Sequence, residues 1–103
     1  DIMRVYYLYD VPSDAYRGGH AHKNLIQFMI PLSGSFEVLV DIGNSKKKII
    51  LNKPNKGLLI PVGIWREMDN FSSGAICMVL ASDYFDEEDY FRKYSEFKKF
   101  KNL

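Results

Sequence analysis

The chain has two histidines, His20 and His22, and one residue separates them. Side chains alternate along a β-strand, so on a strand both rings face the same side. Two imidazoles on one face can hold a metal, work as an acid and base, or stand as satisfied structural groups. An imidazole near its reference pKa of about 6.5 can take a proton near neutrality and return it. The segment before the pair, Arg17-Gly18-Gly19, lets the backbone pass close to a neighbour or a ligand.

The pair needs strands to hold it, and the chain supplies them. Its 103 residues allow one domain. Hydrophobic residues at 47% and charged residues at 26% exclude a disordered tail, a fibre and a membrane span. A net charge of +1 gives no general reason to bind nucleic acid or anionic lipid. The single Cys77 cannot form an internal disulfide, which fits a reducing cytoplasm, and it reads as a core thiol.

Arg4 to Asp10 is aromatic and β-branched and reads as a strand. Further strands are expected over 25–32, 35–41, 46–51, 57–60, 64–68 and 75–81, with turns at Ser33-Gly34, Gly43-Asn44, Pro61-Val62-Gly63 and Ser72-Ser73-Gly74. Lys46-Lys47-Lys48 reads as a solvated strand edge. Short strands without intervening helices indicate an antiparallel sandwich or barrel. After Asp86 the pattern changes. Asp86 caps an expected helix whose first turn holds Glu87, Glu88 and Asp89, and Tyr90, Tyr94, Phe97 and Phe100 follow at helical spacing.

The spacing His20-x-His22-x4-Gln27-x6-Gly34, with Pro61-x-Gly63-x2-Arg66-x3-Asn70 later, resembles the two signature motifs of the cupin superfamily. That resemblance implies an all-β double-stranded β-helix, a jelly-roll barrel, with a short C-terminal helix. Metal-binding cupins have Glu at the position of Gln27 and His at the position of Arg66. Gln is a neutral, weak ligand, and Arg is permanently charged with no lone pair for a metal. No metal is therefore expected. The pocket should instead favour an anionic or oxygen-rich ligand.

The resemblance is closer at Arg17-Gly18-Gly19-His20-Ala21-His22-Lys23, Trp65-Arg66-Glu67-Met68 and Tyr84-Phe85-Asp86-Glu87-Glu88-Asp89-Tyr90. These segments resemble the WxcM-like family of dTDP-sugar 3,4-ketoisomerases. That resemblance implies a cytoplasmic homodimer that needs no cofactor and acts on a dTDP-linked 4-keto-6-deoxy sugar. It implies His22 as the main base at C3, with His20 assisting. It implies Arg17, Arg66, Tyr6, Arg4 and Gln27 around the substrate. Trp65 could stack on the base or fill the barrel. Arg66 leans toward the gluco product. Residues 1–103 are expected to form a single cupin domain lacking its first strands. The alternative is a non-catalytic module binding carbohydrate or sugar nucleotide.

Overall fold

Among the described residues, nine short strands follow the alternating pattern of the sequence. They are β1 Arg4–Leu8, β2 Arg17–His22, β3 Gln27–Ser33, β4 Phe36–Asp41, β5 Lys46–Leu51, β6 Leu58–Ile60, β7 Trp65–Asp69, β8 Ile76–Ala81 and β9 Tyr90–Phe91. The structure is a computed structural model and describes residues 1–15 and 17–102. One sheet has the order β1-β8-β3-β6 and the other β5-β4-β7-β2-β9. Neighbouring strands are antiparallel. Two stacked antiparallel sheets agree with the expected jelly roll.

The sheets meet over one apolar cluster. Phe36 and Val38 of β4 face Met29 of β3 and Cys77 and Val79 of β8, all almost fully buried. Phe36 stacks on Phe71 with centroids 5.3 Å apart. Burying such side chains contributes about 1.5–3 kcal/mol each. Cys77 is a core thiol, and burial pushes its pKa up to about 12. Lys46, Lys47 and Lys48 lie exposed on β5, an edge strand, as expected.

The turn residues explain part of the motif. Gly34 has φ +67°, and a Cβ there would clash with Ser72 Oγ. Gly63 has φ +71°, and its N–H donates to the His22 carbonyl at 2.8 Å. The Gly63 turn thus sets the start of β7 beside β2, and the Gly34 turn packs closely on Ser72 and Ala75.

The C-terminal segment corrects the expected single helix. Asp86 does cap a turn, accepting from Glu88 N–H at 3.0 Å, but that turn is one 3-10 turn, Glu87–Asp89. Tyr90 and Phe91 then extend as β9 and pair with His22 and Ala21. The helix proper, α1 Tyr94–Phe100, begins after Lys93. Pairing with the open edge of β2 overrides the local helical pattern. No helix among the described residues is long and apolar enough to cross a membrane.

Candidate active site

β2 lies between β7 and β9 and so places its histidines between two supports. His20 stands directly across from Arg66 of β7, and His22 across from Tyr90 of β9. The two imidazoles meet edge-on with centroids 4.9 Å apart, and Tyr90 packs on both, at 5.1 and 4.3 Å. Both Nε2 atoms are buried without a hydrogen-bond partner among the described residues.

The open space lies between the sheets. A cavity of about 250 Å³ is lined by Tyr6, His20, Gln27, Met68 and Tyr90, with Arg17 and Arg92 also on its wall. Tyr6, His20, Gln27 and Arg17 were anticipated there. His22 is not on that wall. It is fully buried, with Nδ1 3.1 Å from Asp89 Oδ2. A larger and mainly apolar cavity, about 400 Å³, lies between Ile2, Phe28, Leu59 and Leu80 and carries no imidazole.

Arg66 lies beneath the cavity and is fully buried. It donates from Nη1 to Gln27 Oε1 at 2.5 Å and from Nε and Nη2 to the Ile64 carbonyl at 3.2 and 3.1 Å. Gln27 in turn donates to the Tyr6 hydroxyl at 3.0 Å. Among the described residues, no carboxylate forms a salt bridge with Arg66. Burial lowers its pKa to about 10, so it remains a cation near neutrality. A buried cation without an ion-pair partner costs stability, and an anion entering the cavity would offset that cost.

The same environment acts on the histidines. Burial first, and then the Arg66 charge, push both imidazoles down to about 3. They are therefore neutral at neutral pH, and each holds one free lone pair. This differs from the near-reference imidazoles that the sequence suggested. The pair is a neutral base set beside fixed positive charge.

Arg4 reaches the site from β1, with its guanidinium over Tyr6 at 4.9 Å and Phe85 at 5.7 Å. Trp65 does not reach it. Trp65 points to the opposite face of β7 and packs on Tyr94 and Phe97 of α1, while its indole N–H donates to Glu67 at 2.8 Å. The choice between stacking on a ligand and filling the fold thus goes to filling. Three site residues were missed as such: Asp89, Tyr90 and Arg92 lie in the stretch whose pattern reads as helix. Arg92 lies over Tyr90 at 4.1 Å and is paired with Glu87 at 2.5 Å.

A neutral imidazole pair, a buried guanidinium and a hydroxyl around one cavity suit proton transfer next to a carbonyl. Known proteins can be set beside the chain. A TDP-4-oxo-6-deoxy-alpha-D-glucose-3,4-oxoisomerase of Aneurinibacillus thermoaerophilus is 48% identical over 96% of this chain and 71% of that protein. A solved 3,4-ketoisomerase from Helicobacter canadensis is 50% identical with a TM-score of 0.97, covering 100% of this chain and 77% of that one. The sugar 3,4-ketoisomerase QdtA of Thermoanaerobacterium thermosaccharolyticum, solved with TDP, is 44% identical with a TM-score of 0.97, covering 99% and 74%. The profile described as WxcM-like, C-terminal (FdtA) matches residues 1–102. With the His20-x-His22 strand, the Arg66 floor and this match over nearly the whole chain, the protein belongs to the WxcM-like family.

Proposed function

We propose that this chain is a 3,4-ketoisomerase of a TDP-linked 4-keto-6-deoxyhexose. The observation that carries this reading is His20 on the cavity wall directly across from a buried Arg66 that pairs with no carboxylate among the described residues. The similarity to named 3,4-ketoisomerases supports the substrate class.

The chemistry is a proton shift. A base takes the C3 proton, the C3–H electron pair forms a C3–C4 double bond, and the C4 carbonyl oxygen becomes an oxyanion. A proton passes from the C3 oxygen to the C4 oxygen, and C4 is reprotonated, leaving the ketone at C3. No atom or electron is gained or lost overall. His20, the imidazole on the wall, is the proposed base, which exchanges the roles expected for His20 and His22. Arg66, through Gln27 and Tyr6, supplies positive potential to the oxyanion. Arg17, Arg92 and Arg4 suit the diphosphate by charge.

Arg66 leans the reading toward a gluco product, which would feed the synthesis of a 3-amino-3,6-dideoxy sugar. An outer-face row of Val5, Leu80, Phe28 and Leu59, in register across β1, β8, β3 and β6, supports a homodimer, read out by sedimentation.

The test is incubation with TDP-4-keto-6-deoxyglucose in D2O, followed by NMR. The expected result is a 3-keto product carrying deuterium at C4, with gluco configuration there. Substrate returned without deuterium or product would instead favour a binding module.

A further inference from the structure

Asp89 is nearly buried beside the site, and the proton transfer proposed above does not use it. Its position is strongly determined. Its N–H donates to the Asp86 carbonyl at 3.0 Å, and its own carbonyl accepts from Lys23 N–H at 2.9 Å. Its Oδ1 accepts from Asn24 N–H at 2.8 Å, which leaves Oδ2 facing His22 Nδ1 at 3.1 Å. His22 is held as well, since its backbone carbonyl accepts from Gly63 N–H and its ring packs at a tilt against Tyr90, 4.3 Å between centroids.

A carboxylate only accepts hydrogen bonds. Facing Nδ1 of a neutral imidazole, it selects the tautomer with the proton on Nδ1 and a bare lone pair on Nε2. That Nε2 has no partner among the described residues, and its ring lies edge-on to His20. We infer that Asp89 is a positioning residue that fixes His22 as the Nδ1–H tautomer, keeping an Nε2 lone pair next to His20 to receive the proton His20 takes from the sugar. This rests on the ketoisomerase reading for its purpose, but not for its geometry.

A purely structural Asp89 would serve only as the cap on Asn24 N–H. Asp89→Asn separates the two roles. Its amide oxygen can keep the Asn24 cap, while its NH2 turned to Nδ1 would force the opposite tautomer.

With two histidines in the chain, 15N-histidine labelling gives a readable spectrum, and His22→Asn assigns it. In the resting wild-type protein, His22 should show a protonated Nδ1 and a bare Nε2. Asp89→Asn should invert this pattern and lower kcat by about 100-fold or more, with KM held within about threefold. A wild-type His22 protonated on Nε2 would overturn the inference, and so would Asp89→Asn with wild-type kcat. If the variant does not fold, the wild-type spectrum decides alone. That spectrum needs no turnover, so a wild-type chain inactive in the D2O assay counts against the proposed function and not against the tautomer.

Discussion

Strands β2 and β7 carry two faces that were built in opposite ways. On the outer face, Ala21 and Trp65 pack with Phe97 of α1 into a small apolar cluster. On the inner face, His22 and Arg66 are fully buried, both imidazole Nε2 atoms lack a hydrogen-bond partner, and Arg66 lacks a carboxylate partner, among the described residues. A single residue step separates Trp65 from Arg66, and another separates Ala21 from either histidine. The alternation of a strand lets one segment do both jobs. The outer face gains stability by burial, whereas the inner face gives some up to keep lone pairs and charge available.

Substitutions should break the two faces differently. His20→Asn is expected to lower turnover by about 10²–10⁴-fold while the folded state survives, measured by steady-state kinetics beside thermal melts. A variant that keeps most of its activity would remove His20 from the base role. On the other face, Trp65→Ala should cost about 3–5 kcal/mol of stability through the cavity it leaves. Urea unfolding reads that loss, and KM for the nucleotide sugar should change little. A large KM effect would mean that Trp65 acts on the ligand after all.

A further effect is expected on pH dependence, and it touches the inner face alone. Both imidazoles titrate near 3 when folded, against about 6.5 when unfolded. The groups packed around them are Arg66, Arg4, Arg92, Tyr90 and Asp89. As pH falls below about 6.5 the unfolded chain takes up protons first, so stability present above that pH declines toward about 3. Urea midpoints at pH 7 and pH 5 should show this fall, and it should be smaller in a His20→Asn, His22→Asn double variant. The acid limb of kcat/KM should likewise lie well below 6.5. A limb at 6.5 would mean that the cavity is wetter and less positive than described.

The sequence carried the inner face further than the outer one. A period of two placed both histidines together, and the motif spacing led to Gln27 and Arg66, because these positions are set by turns within or between neighbouring strands. Trp65 stayed ambiguous because Trp65 and Arg66 are both buried, so burial periodicity alone does not tell which side holds the cavity. Asp89, Tyr90 and Arg92 were hidden for another reason. Their acidic and aromatic pattern satisfies a helix locally, and only pairing with β2, 67 residues away for the His22–Asp89 contact, makes them part of the site. The depressed imidazoles were equally invisible, since burial and a cation across the sheet are properties of the assembled fold.

The orientation of the Gln27 side chain has a consequence of its own. Its oxygen is claimed by Arg66 and its nitrogen by Tyr6, so the amide has one sensible way round. A glutamate would occupy nearly the same volume. It would also close an ion pair with Arg66 and leave little positive potential in the cavity. One atom, nitrogen in place of oxygen, thus separates a floor that keeps its positive potential from one that has already satisfied its charge internally.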